Sequence, residues 1–272
     1  MSQDRLLVDA HHHVGDLSDS LSYDGHVTGP EPSVEEDADG RVARMDALGI
    51  AWAVIQPSHG YARTDGLAAT RRVNDRMAQL QARAPDRLRA VGTTEPLHGL
   101  DGVAEVDRVH EIGLAGLAWH HRFQGCYIDS RWMWPTLERM QDLGLVPLVH
   151  TNAESSLEAS WRLQRLATDF PGLTFLAMDA FWTYGRARHV LFTAGLTPNI
   201  VWDLGGPVSY VSIAEWVERN GSTTLCFSAG GGYLGGPAVL PPLVAQIEHT
   251  PISDEDKANI LGGNVARMFG YS

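Results

Sequence analysis

Cysteine is scarce in this chain: Cys126 and Cys226 are the only two in 272 residues. That is too few for a disulfide framework, and their separation matches no clustered metal motif, so reduced thiols in a cytoplasm are expected. Clustered basic charge is missing too. A formal net charge of −12 argues against electrostatic attraction to nucleic acid or anionic membranes, which need grouped Lys and Arg. No apolar run is long enough to cross a bilayer, and the amino terminus has no basic segment followed by an apolar one. A soluble cytoplasmic protein without a targeting signal is the expectation. Also absent are a Ser nucleophile elbow, a dinucleotide-binding glycine fingerprint and a zinc-finger pattern. No linker, low-complexity tract or charge block divides the chain, so one domain is expected.

What is present is alternation. Short apolar runs at Leu6 to Val8, Ala51 to Gln56, Leu88 to Gly92, Leu114 to Trp119, Leu145 to His150, Leu173 to Met178, Ile200 to Trp202 and Thr224 to Ser228 read as eight strands. Helix-period segments separate them. Leu67 to Ala84 sets Val73, Met77 and Leu80 on one face. Ser155 can cap a helix to Thr168, Ser253 with Asp256 forms a capping pattern, and Asn264 can cap a final short helix. Repeated βα units of this number predict an α/β fold, a (β/α)8 TIM barrel occupying residues 1–272 as a single domain. The irregular stretch from about Gly15 to Gly40, rich in Gly, Asp, Ser and Pro, follows the first strand and is expected to be an active-site loop.

Strand period two puts His11 and His13 on one face and sends His12 elsewhere. Two converging imidazoles at a barrel's strand end form half a site for a divalent metal. Three histidines are too short for a purification tag, and Leu6-Leu7-Val8-Asp9 before them reads as strand. His150 ends another apolar strand on the same rim. A lone His there is explained as a core residue; three at strand ends are not.

The pieces VDAHHH at 8–13, MDALGIAWAVIQPS at 45–58, PDRLRAVGTTEP at 85–96, GLAGLAWHHRFQG at 113–125, LGLVPLVHT at 143–151 and ISDEDKANILGGNVARMFG at 252–270 together resemble the amidohydrolase-related (amidohydrolase 2) family. Its members include metal-dependent hydrolases, decarboxylases similar to aminocarboxymuconate semialdehyde decarboxylase, and pyrone dicarboxylate lactonases. The resemblance implies a mononuclear divalent-metal site, with ligands from the His-X-His of strand one, a His on strand five and an Asp ending strand eight, assisted by a His ending strand six. His11, His13 and His150 fall on three of these places. The other two depart: Asp179 stands where the family has its strand-six His, and Ala229 or Gly230 where it has the strand-eight Asp. In the family that Asp binds the metal and takes a proton from the attacking water, which neither Ala nor Gly can do. Three outcomes stay open. Asp179 becomes the fourth, carboxylate ligand of a site suited to zinc; or the histidines bind a carboxylated substrate without metal; or the barrel binds a ligand and does not catalyse.

Other rim positions follow from the strand ends. His120, His121 and Arg122 after strand four form a cationic group for a substrate carboxylate or phenolate, with exposed loop residues as the plainer alternative for His121. His59, ending strand two, is a candidate proton shuttle. Asp179, His120 and His59 are thus the acid–base candidates. Asp203 ends strand seven as a supporting acceptor or a structural residue. Trp119, Trp182, Tyr184, Phe123 and Tyr127 can line a pocket for a planar substrate or fill the core. The glycines at 230–232 and 235–236 leave room for backbone approach to a ligand or for a flexible turn. Cys126 needs a placed His to act as a nucleophile. The expected activity is metal-assisted hydrolysis of a C–N or ester bond in a small carboxylated cyclic or aromatic molecule. Non-oxidative decarboxylation in the same barrel is the alternative, and a metal-free lactonase-like or binding barrel another. Barrels resembling this one are often homodimers.

Overall fold

A computed structural model describes residues 6–15, 32–58, 65–151, 155–205, 209–229 and 240–271. In chain order it runs β1 (Val8–Val14), α1 (Val34–Leu48), β2 (Trp52–Pro57), α2 (Leu67–Arg83), β3 (Leu88–Ala90), α3 (Leu100–Glu111), β4 (Gly116–Trp119), α4 (Met133–Leu143) and β5 (Val146–His150). There follow α5 (Ser160–Asp169), β6 (Phe175–Met178), α6 (Tyr184–Thr193), β7 (Ile200–Asp203), α7 (Ile213–Asn220), β8 (Leu225–Cys226) and α8 (Leu240–His249), then a terminal helical segment over residues 254–268.

Every strand pair is parallel, in the orders β1-β2-β3 and β4-β5-β6-β7-β8. Contacts at two seams join these sheets into a ring. Gly92 bridges to Leu117, and the Ala10 amide donates to the Phe227 carbonyl at 3.4 Å. Closure removes the exposed edges that an open sheet would leave. At the β4–β5 seam, Gly116 is needed for close approach: a Cβ there would lie 2.1 Å from the Val146 carbonyl oxygen.

The core has two layers. Val54, Val146, Leu148, Leu176, Met178, Val201 and Cys226 fill the barrel interior, while Ile55, Trp119, Val149, Phe175, Ala177, Ile200 and Trp202 face the helices. This alternation is the period of a strand buried on both faces. It fixes which residues reach the mouth from inside: His150 continues the inward series of Val146 and Leu148, and Asp203 that of Val201.

β1 follows the rule with one break. Val8 and Ala10 belong to the inner layer, so strict alternation would send His12 inward next. A register shift between Asp9 and His12 inserts one residue and changes the phase, so that His11 and His13 turn in.

Sequence boundaries needed correction in places. β1 begins at Val8 and carries the histidines within it rather than ending before them, because a barrel interior accepts polar side chains that have partners. α1 starts inside the stretch expected to be irregular: Ser33 and Glu36 form a capping box, and Gly40 in mid-helix hides the periodicity. The remainder of that stretch, 16–31, lies outside the described residues. Ser155 caps a short 3-10 turn, Ser156–Glu158, ahead of α5. The capping box of Ser253 and Asp256 is present. Asn264 caps nothing; the helix runs into it through a π turn, and its amide donates to the Ser222 and Leu225 carbonyls at 2.7 Å each.

Candidate metal centre

Three imidazoles meet inside the mouth. His11 Nε2 lies 2.9 Å from His13 Nε2, which lies 3.2 Å from His150 Nε2, and all three residues are at most 3% exposed. Their protonation follows from the opposite ring atoms. His13 Nδ1 donates to the Pro57 carbonyl at 3.2 Å, and His150 Nδ1 to the Trp119 carbonyl at 2.8 Å. His11 Nδ1 donates to Asp203 Oδ2 at 2.7 Å. A carbonyl only accepts, so Nδ1 carries the proton and Nε2 presents its lone pair in each neutral ring.

Lone pairs turned on one another repel unless a cation or proton lies among them. Two nitrogens ~2.1 Å from one ion stand about 3.0 to 3.4 Å apart at octahedral to tetrahedral angles, close to the spacing here. The donor set therefore fits a divalent ion, with His11, His13 and His150 to hold it. Buried charge points the same way: Asp9, Asp179 and Asp203 are all at most 5% exposed. Burial alone would lower the His11 pKa. The Asp203 hydrogen bond and the charges of Asp179, Asp203 and Asp9 outweigh that and raise it. The site attracts positive charge.

Asp203 orients His11. It is fully buried, and its other oxygen accepts from Ser228 Oγ at 2.7 Å and from the Gly205 amide. Such a carboxylate behind an imidazole fixes the tautomer and strengthens the ligand. Asp179 is placed differently. Its Oδ1 lies 3.8 Å from His11 Nδ1, the ring atom turned toward Asp203. It groups with His120 and His150, and with His11 and Asp203, but not with the three converging nitrogens together. The expected set of three His plus Asp179 is therefore not assembled as one group. Asp179 is the sole non-glycine residue with positive φ among the described residues, at 65°. This turn after β6 takes its carboxyl out of the strand's alternation at a cost of backbone strain. Burial pushes its pKa up to about 6, against the pull of His11. At the end of β8, Ala229 offers only its backbone amide, which donates to Asp9 Oδ1 at 2.8 Å. Gly230 lies outside the described residues.

The residues after β4 separate sharply. His120 stacks on His150 with ring centroids 4.2 Å apart, and its Nδ1 pairs with Glu158, which also accepts from the Arg122 amide at 3.0 Å. Glu158 is a buried site residue absent from the sequence reading, because nothing in its 3-10 turn marks it locally. His121 is neither an exposed loop residue nor a cation. It is fully buried, neither ring nitrogen has a hydrogen-bond partner, and desolvation drives its pKa down to about 3. Phe123 lies edge-on to His120 at 4.4 Å, with the Arg122 guanidinium 4.8 Å from its ring.

Other expected pocket residues are placed elsewhere. Trp119 is sealed in the outer core layer, its indole N–H on Thr94 Oγ1 at 3.2 Å, so it serves the site through its carbonyl. Trp182 is half-buried and donates to the Gly205 carbonyl at 3.2 Å. Tyr184 is 66% exposed at the start of α6, so most of its ring meets solvent instead of a pocket wall. Tyr127 is held by Arg162, and Cys126 is buried. His59 and the glycines at 230–232 and 235–236 lie outside the described residues.

The sequence profile of the amidohydrolase family matches residues 8–226, which span β1 through β8. The chain belongs to this family of enzymes. No curated protein matches the chain. Among solved structures it is similar to 5-carboxyvanillate decarboxylase from Sphingomonas paucimobilis, with TM-score 0.73 and 21% identity over 99% of this chain and 100% of that one. It is also similar to 5-carboxyvanillate decarboxylase from Novosphingobium aromaticivorans, complexed with manganese and 4-hydroxy-3-methoxy-5-nitrobenzoic acid, with TM-score 0.76 and 15% identity over 99% and 97% of the two chains. A third similar structure is 2,6-dihydroxybenzoate decarboxylase from Rhizobium, with TM-score 0.72 and 17% identity over 98% and 99%. At such identities the likeness concerns the amidohydrolase barrel fold. Among the described residues, no helix is long and apolar enough to cross a membrane.

Proposed function

We propose that this protein is a divalent-metal-dependent, non-oxidative decarboxylase of a small hydroxylated aromatic carboxylic acid. The observation carrying this reading is the convergence of three Nε2 lone pairs beside a buried, strained carboxyl that is not one of their group. The manganese-bound 5-carboxyvanillate decarboxylase and the 2,6-dihydroxybenzoate decarboxylase to which this chain is similar support it. Loss of carbon dioxide needs a cation to hold the carboxylate and an acid to deliver a proton to the ring carbon. When bound, the ion supplies charge that orients the substrate oxygens and stabilises electron density leaving the C–C bond.

The chain's own groups supply the rest. Asp203 keeps His11 in the tautomer that presents Nε2, and the Pro57 and Trp119 carbonyls do the same for His13 and His150. Asp179 is the proton donor: it is buried, its Oδ1 has no hydrogen-bond partner, and desolvation raises its pKa above the ordinary carboxylate range. The C–C electron pair stays on the ring carbon and takes that proton, leaving an Asp179 carboxylate that solvent recharges. His120, paired with Glu158 and stacked on His150, binds or relays protons at the same edge. Arg122 meets the substrate carboxylate. Hydrolysis, the activity expected from sequence, needs a base for water where Ala229 or Gly230 replaces the family's acid.

The test is incubation of metal-replete protein with a panel of hydroxybenzoates, following carbon dioxide release. Release that stops on chelation and returns with manganese or zinc is expected. Turnover of esters or amides without carbon dioxide would replace this reading with the hydrolytic one.

A further inference from the structure

A second feature lies away from the histidines. Between the first turns of α5 and α6 is a crevice of about 480 Å³ lined by Ser160, Trp161, Thr183, Gly185, Arg186 and His189. That volume falls within the range of small-molecule sites. Its walls favour negative charge. α5 starts after Ala159, which has no side chain to cap it, and α6 starts after Thr183, whose hydroxyl makes no capping bond. Both first turns thus leave backbone N–H groups without side-chain acceptors, where helix dipoles attract anions.

Two observations on its lining point to a ligand, and a third shows room for one. Ser160 lines the crevice and is 1% exposed, and its Oγ has no hydrogen-bond partner, a costly condition for a buried hydroxyl. Arg186 has no ion-pair or hydrogen-bond partner among the described residues, in a chain of net charge −12. Gly185 has nothing within 4 Å of the place a Cβ would take, so the crevice is open at that point. Trp161 adds an aromatic wall: it is 49% exposed and kept in position by Arg162, whose guanidinium lies 4.3 Å from the ring.

We propose that this crevice is a second ligand site, for a small aromatic carboxylate. Arg186 and the first-turn N–H groups take the carboxylate, Ser160 Oγ donates to it, and Trp161 covers the ring. The site stands whether or not the metal centre decarboxylates. It is also placed to influence that centre. Ser160 follows Glu158 by two residues and Thr183 follows Asp179 by four, so an occupant braces both loops that deliver those carboxyls.

The experiment is calorimetric titration of the full-length chain with benzoate, acetate and inorganic phosphate, in wild type and in a His13→Ala background that disables the metal centre. Saturable benzoate binding that persists in His13→Ala is expected. It should weaken about tenfold or more with Arg186→Gln added, the scale of a charge-assisted hydrogen bond. Gly185→Leu, which fills the crevice and suits a helix, should block binding without touching the charge. Unchanged benzoate affinity in both variants, or no saturable binding in His13→Ala, would overturn the site. Phosphate or acetate binding as tightly as benzoate would overturn the aromatic assignment.

Discussion

Histidines and carboxylates divide the barrel mouth between them. β1 and β5 contribute imidazoles tied down at Nδ1 and convergent at Nε2, whereas β6 and β7 contribute Asp179 and Asp203, neither of which joins that three-nitrogen group. The two carboxyls differ in turn. Asp203 has both oxygens occupied by donors, while Asp179 Oδ1 has no hydrogen-bond partner and sits on a strained backbone. A carboxylate fully engaged behind a ring is an orienting group. One buried without a donor on that oxygen favours its protonated form.

The largest test of this division is His13→Ala. It should lower divalent-ion affinity by more than the ~10–100-fold typical of an outer partner, read by equilibrium dialysis and metal analysis. Unchanged stoichiometry would mean that the converging lone pairs hold no ion. Asp179→Asn should cut kcat by roughly 10²–10⁴-fold while leaving bound metal unaltered, as expected for a lost proton donor. If the metal leaves with the carboxyl, Asp179 belongs with the ligands and the division fails. Asp203→Ala should weaken metal binding about 10–100-fold, with much of kcat restored at saturating ion.

His121 sharpens the contrast from another side, because it neighbours His120 and has the opposite environment. The unfolded chain protonates this imidazole near 6.5, but the folded one, stripped of water, resists until about 3. Between those values the unfolded state holds the extra proton. Stability from this residue is therefore complete above pH 6.5 and falls as pH drops through that window. His121→Leu should flatten that acid limb by on the order of a few kcal/mol, measured as urea midpoints from pH 7 to 4. An unchanged slope would show that the ring is not buried neutral.

Much of the site was legible because strands write their geometry into sequence. His11, His13 and His150 stand out as polar residues at the ends of apolar runs, and period two says which of them can meet. The bulge that brings His11 and His13 into phase was not legible, since Val8 and Ala10 give no sign that the alternation will slip. The burial of Trp119 and His121 and the exposure of Tyr184 were not legible for a related reason. Adjacent residues after a strand end can enter the core or leave for solvent, and composition does not distinguish them.

The sequence by itself determined the repeated βα order, the eight strands and the histidines that a closed barrel must gather, because hydrophobic period and strand-end position are local properties. Only the tertiary structure decided what the acids do. Asp203 lies 192 residues from the ring it orients, and Glu158 lies 38 from His120. Asp179 takes its character from burial and from a backbone turn. Asp203 meets His11 only when the two sheets close into a ring, Glu158 meets His120 only when β4 and β5 pair, and desolvation exists only once both have happened.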